Sequence, residues 1–169
     1  MSSGCAEANE IGEDLELRIT ESESALEHVP KTETFRYDAR TTTLLEGRPE
    51  RPLAGVLLLE EGTPVEIKTT RPWVRNGVGR CRGRFYIKQP SHEVLLEAGG
   101  AYYLAVYERR QTPSGPEVEI VAAIIVPASI VEELRGSWCE TGRADGPVAR
   151  LSWTAVLRED DLESGVVVA

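Results

Sequence analysis

The sequence predicts one α/β (α+β) domain, a mixed central β-sheet with a β-hairpin and flanking helices. Three observations carry this. The run Ile120 to Val126 is apolar and strand-sized, which marks a strand buried on both faces. Pro64 to Thr70 is rich in β-branched residues and follows the turn Glu60-Glu61-Gly62-Thr63, so it reads as the second strand of a hairpin. Helical segments then alternate with strands in the order hairpin, helix, strand, strand, helix, strand. A chain of 169 residues suits a single domain, read here as residues 13–158 between a flexible N-terminus (1–12) and an acidic tail (159–169).

Taken in order, Asp14 to Thr20 alternates apolar and polar residues as a strand does. The same letters fit a helix through Ala6 to Ile19, and both readings stand. Ser22 to His28 reads as a short helix closed by Pro30, and Thr34 to Asp38 as a short strand. Gly55 to Leu59 reads as the first, buried strand of the hairpin. Arg71 to Gly83 holds three glycines, a proline and an Asn-Gly pair, and reads as a loop. Arg84 to Lys88 is a short extended piece. Ser91 fits an N-cap and Gly99-Gly100 a helix stop. Ala101 to Tyr107 and Val118 to Val126 are strands joined by a turn at Gln111 to Pro116. Ala128 to Leu134 is a helix, and Ala149 to Leu157 a final strand. Trp138 and Trp153 read as core or interface aromatics, Cys139 as a buried thiol and His92 as a surface or capping residue.

Charge is distributed unevenly. The net charge is −9, yet residues 67–88 carry seven bases and no acid: Lys68, Arg71, Arg75, Arg80, Arg82, Arg84 and Lys88. Trp73, Phe85 and Tyr86 are interleaved with them. Arginines contact phosphates and aromatics stack on unpaired bases, so the segment fits a polyanion, with DNA the leading partner. No apolar run is long enough to span a bilayer and no secretory signal opens the chain, so the expected compartment is the cytoplasm. Three dispersed cysteines without a CxxC pair point to free thiols rather than a zinc site.

On the Pro64–Thr70 strand, Val65 and Ile67 face one way, and Glu66 and Lys68 face the other. A carboxylate there can hold a divalent ion, Mg2+ by default or Mn2+, and the neighbouring ammonium can orient water or stabilise phosphate charge. A hairpin whose second strand carries Glu-x-Lys, followed by a helix and a strand, resembles the PD-(D/E)XK nuclease superfamily, the restriction-endonuclease-like fold, over about Gly55 to Val106. The resemblance implies that Glu66 binds metal and Lys68 is the catalytic cation in metal-dependent hydrolysis of DNA. The family also places an Asp at the start of the first hairpin strand. Here that region reads Arg51-Pro52-Leu53-Ala54-Gly55-Val56, with a Pro-x-x-Gly outline and no Asp. Asp38 and Glu50 are the upstream acids with a claim, and Glu13, Asp14 and Glu27 are helix-borne alternatives.

Two further readings follow from that departure. One is an inactive nucleic-acid-binding module on the same fold, using Arg71, Trp73, Arg75, Arg80, Arg82, Arg84 and Lys88. The other is an interaction protein whose basic segment docks on an acidic partner, a second copy of this chain included, as a homodimer. A plain account also exists for each feature. Glu-x-Lys occurs as a surface charge pair, and seven bases can offset acids through ion pairs that each contribute little.

Overall fold

The computed structural model describes residues 3–56 and 58–162. Helix α1 (Ser3–Ser22) comes first, so the segment 3–12 expected to be flexible is part of a helix. Ile11, Leu15 and Ile19 recur every four residues on one face, and Leu15 and Ile19 are fully buried. Each such side chain contributes about 1.5–3 kcal/mol. Leu17, which strand alternation would bury, is 46% exposed, and this decides for helix over strand.

Strands β1 (Leu26–His28), β2 (Ala39–Thr41), β3 (Leu45–Glu46), β4 (Leu58–Leu59) and β5 (Pro64–Thr70) follow. The expected helix at Ser22 to His28 is therefore replaced at its C-terminal half by a strand. The expected strand at Thr34 to Asp38 is instead Ala39–Thr41. Next come β6 (Trp73–Asn76), β7 (Gly79–Arg82), β8 (Arg84–Lys88), α2 (Gln89–Ala98), β9 (Ala101–Thr112), β10 (Gly115–Pro127), α3 (Ala128–Leu134) and β11 (Val148–Ser152). Helix α2 starts at Lys88-Gln89, with Pro90 in its first turn, so Ser91 is not its cap but a buried first-turn residue. Gly99 ends it at φ 64°, donating to Leu95 and Leu96 carbonyls.

Five strands form the central sheet in the order β1-β2-β5-β9-β10. β5 and β9 are parallel and the other neighbours antiparallel. Leu15, Ile19, Val65, Ile67, Tyr103 and Ile125 pack on the α1 face. Phe85, Ile87, Leu95, Tyr102, Leu104, Val126, Val131 and Trp153 pack on the other. That second face is covered by α2, α3 and the β8–β11 pair, giving three layers, the restriction-endonuclease-like α/β arrangement that the sequence predicts. The β10 edge is covered by residues 52–54: Ile125 N donates to Pro52 O and Ala54 N to Ile125 O. Among the described residues no helix is long and apolar enough to cross a membrane.

The expected pairing of the hairpin is corrected. β5 pairs with β2, not with residues 55–59, while the surviving fragment of that strand, β4, pairs with β3. Leu57 lies outside the described residues. The physical cause is Thr41, which is 1% exposed. Its hydroxyl donates to Glu60 O and accepts from Thr63 N, and its backbone binds Thr63 O and receives Gly62 N. The 60–63 turn is thereby captured by β2, and Gly62 takes the φ of +82° the reversal needs.

Candidate active site on strand β5

Alternation along β5 is as expected. Val65 and Ile67 are buried on the α1 face, and Glu66 and Lys68 project from the other. Glu66 is 4% exposed and forms an ion pair with Lys68. The β2–β5 pairing brings in Asp38, which lies one residue beyond the Ala39–Val65 pair and therefore beside Glu66. Its backbone N donates to Val65 O at 3.0 Å, its carbonyl accepts from Val29 N, and its Oδ2 accepts from Ile67 N at 2.8 Å. Of the two upstream acids with a claim, the fold therefore brings Asp38 beside Glu66: β2 is the antiparallel partner of β5, and Asp38 directly precedes it.

Sequence reasoning missed Glu16. It lies on α1 beside buried Leu15, and besides burial the charges of Asp38, Lys31, Lys68 and Glu66 act on its carboxyl. Helical spacing of Ile11, Leu15 and Ile19 was the signal that could have found it. Glu13 is exposed and pairs with Lys31, and Asp14 pairs with Arg18. Glu50 is exposed in the Arg48–Arg51 turn, within the insertion between β2 and β5.

Electrostatics follow burial. Burial pushes the Glu66 carboxyl up to about 7, against the pull of Lys68 and with the push of Asp38. Burial also raises Glu16 to about 7, with Asp38 adding to it. Desolvation works against the Lys68 charge, but Glu66, Asp38 and Glu16 outweigh it and hold its pKa above the ordinary value. Tyr102 stands beside Glu66 in the parallel β5–β9 register, and its hydroxyl is pushed far up by burial and by Glu66. Glu66 and Lys68 are thus paired in a largely buried site, with the charges of Asp38 and Glu16 acting on them.

Glu16 yields a stability test. Its folded pKa lies above the ordinary 4.5, so its ionisation disfavours folding. That penalty is complete above about pH 7 and absent below 4.5. Glu16→Gln is expected to stabilise the metal-free protein by about 1 kcal/mol at pH 8 after solvent screening, roughly 2–4 °C in Tm. The gain should shrink at pH 5.5. Urea unfolding in EDTA at both pH values measures it, and an equal gain at both would refute the charge-burial account.

The basic segment is not a loop. β6 and β7 form a ribbon with Trp73 opposite Arg82, Arg75 opposite Arg80 and Asn76 opposite Gly79, turned by Gly77-Val78 with Gly77 at φ 62°. Directly opposed arginines repel, and among the described residues neither Arg75, Arg80 nor Arg71 meets a carboxylate. Trp73 is 40% exposed, with the Arg82 guanidinium 4.0 Å from its ring centre and Arg80 at 5.3 Å. Arg82 is tied to Glu159 and Lys88 to Asp145, and Arg84 donates to Cys81 Sγ. The ribbon's neck is fixed: buried Trp153 donates Nε1 to Pro72 O at 3.0 Å. Gly83 approaches Arg71 O so closely that a Cβ would lie 1.8 Å from it.

His92 is also corrected. It is 1% exposed, with Nδ1 and Tyr102 OH 2.8 Å apart and Nε2 2.8 Å from Glu132 Oε2. Arg135 holds Glu132 through two hydrogen bonds and lies 4.2 Å from the Trp138 ring centre. The group joins α2, α3 and β9. Burial lowers the His92 pKa despite Glu132, so the imidazole is a neutral packing group. Cys139, expected to be buried, is exposed, while Trp153 is buried as expected.

Carboxylate oxygens are the donors that Mg2+ and Mn2+ prefer. Among the described residues no three His, Cys, Asp or Glu side chains are already gathered as a ligand set. The oxygen-donor chemistry of Asp38, Glu66 and Glu16 is the kind such an ion takes. No curated protein and no solved structure matches the chain. The family model described as a PD-(D/E)XK nuclease superfamily domain matches residues 2–158. With nearly the whole chain matched, and with a Glu-x-Lys strand paired to the strand that follows Asp38, the protein belongs to the PD-(D/E)XK nuclease superfamily.

Proposed function

We propose that the chain is a divalent-metal-dependent phosphodiesterase acting on DNA. The observation that carries this reading is the position of Asp38 directly across from Glu66, with Lys68 ion-paired in the same site. Asp38 and Glu66 would hold Mg2+ or Mn2+, with Glu16 as a third oxygen donor. A bound ion would supply positive charge to the phosphate oxygens. Lys68 would orient the attacking water or donate to the charge developing on the pentavalent phosphorus, in a site dry enough to strengthen that interaction. Arg71, Arg75, Arg80, Arg82, Arg84 and Lys88 would contact the backbone, with Trp73 beside them. The test is cleavage of single-stranded, double-stranded and branched DNA with Mg2+ or Mn2+. Activity no greater than that of Lys68→Ala would sink the reading.

One observation favours the inactive binding module. Lys68 already occupies Glu66, while the unneutralised ribbon arginines serve binding whether or not a bond is cut. That reading expects salt-sensitive binding that survives Glu66→Ala.

A further inference from the structure

The β8–β11 pair turns one face inward and one face outward. Phe85, Ile87, Ala149 and Leu151 are buried in the core. The outward positions are Arg84, Tyr86 and Lys88 on β8 and Val148, Arg150 and Ser152 on β11, matched pairwise in register. None of the six is acidic, in a chain whose acids outnumber its bases by 28 to 19. Tyr86 is 56% exposed at the centre, directly opposite Arg150, whose guanidinium lies 5.8 Å from the ring centre. Among the described residues Arg150 meets no carboxylate. At one end Arg84 touches Cys81 of the ribbon. At the other end Lys88 is half-exposed, pairs with Asp145 at 3.1 Å, and leads directly into α2.

We infer that this outward face is a track for one unpaired nucleic-acid strand, with Tyr86 as a base-stacking platform and Arg84, Lys88 and Arg150 as phosphate contacts. The cations favour a polyanion. The exposed ring at the centre favours a single strand, because the faces of a paired base are covered by its neighbours while those of an unpaired base are free to stack. On the phosphodiesterase reading a bound strand would continue from this face to the β5 site, but binding to the face is measurable without any cleavage.

The experiment is fluorescence anisotropy of the full chain in EDTA with a labelled 20-nucleotide deoxyribonucleotide, alone and as a duplex. The single strand is expected to bind more tightly. Tyr86→Leu, which keeps an apolar strand residue but removes the ring, should weaken it about tenfold, and Tyr86→Phe should not. Arg150→Ala should lower the slope of log affinity against log salt by about 0.7. Arg150→Glu should weaken binding more than Arg109→Glu, an equal charge change on the α1 face, where Arg109 pairs with Glu7. Tighter binding of the duplex overturns the inference, as does unchanged single-strand binding by Tyr86→Leu and Arg150→Glu. Mg2+-dependent cleavage is scored separately. If these binding results hold and no cleavage occurs, the phosphodiesterase reading falls and the track stands. If cleavage occurs and neither residue alters binding, the track alone falls.

Discussion

Asp38→Ala is expected to abolish Mg2+-dependent cleavage of DNA as completely as Glu66→Ala, while Glu50→Ala leaves it unchanged. The difference comes from pairing. Asp38 directly precedes β2 and is held against β5 by Val65 O and Ile67 N, whereas Glu50 is exposed in a turn of the insertion. Removing a group that holds transition-state charge in a dry site costs about 10²–10³ in rate, and losing an ion's ligand costs more. The two substitutions act on one unit, so the double variant should be little worse than either alone. Initial rates across an Mg2+ titration provide the measurement. A Glu50→Ala variant as inactive as Asp38→Ala would mean that the β2–β5 pairing does not build the site. Asp38→Asn, which keeps an acceptor for Ile67 N, separates the loss of charge from the loss of the strand contact.

The second large effect is on stability. Arg51 is 2% exposed and binds Glu23 through Nε at 2.7 Å and Nη2 at 3.2 Å, with Nη1 on Glu46 O. Glu23, 5% exposed, directly follows α1, so this pair ties the helix end to the insertion. Arg51→Ala leaves a buried carboxylate with only Arg48 beside it. Such losses cost about 3–5 kcal/mol, a large share of the 5–15 kcal/mol that holds a typical domain together. At about 2–4 °C per kcal/mol, Tm should fall by roughly 6–20 °C. Arg48→Ala, whose side chain is 54% exposed, should cost about 1 kcal/mol or less. Urea denaturation gives both numbers, and equal losses for the two arginines would contradict the assignment of burial as the cause. Replacing the pair together by apolar residues should recover part of the loss, since neither charge is then left alone.

How much of this was legible in the sequence depends on how local each signal is. Alternation on β5 is a property of seven consecutive residues, and it placed Glu66 and Lys68 on one face. The apolar β9 and β10 segments and the Gly99 stop were equally local. Asp38 was named but given no place, because β2 meets β5 across residues 42–63 and only Thr41 reveals which strand the turn joins. Glu16 was hidden by the alternation of Leu15, Leu17 and Ile19, which fits strand and helix alike until Leu17 is seen to be exposed. In the ribbon, Asn76-Gly77 was a hairpin signal, but arginine and glycine are poor strand formers and the segment read as a loop. Nothing nearby in sequence announced that His92 would be enclosed by Tyr102 and Glu132, because its partners come from other elements.

The strip at Pro52–Ala54 has a consequence for how this chain behaves when crowded. An outer strand as long and apolar as β10 is a template on which other chains polymerise. Here that template is masked at Ile125, near its C-terminal end, by three residues that directly follow Arg51. An incoming chain must peel the strip away, and peeling strains the Arg51–Glu23 tether. At that end of β10, resistance to edge pairing is thus expected to depend on the Arg51–Glu23 ion pair. Variants that loosen the pair should lose soluble yield during expression before they lose their fold.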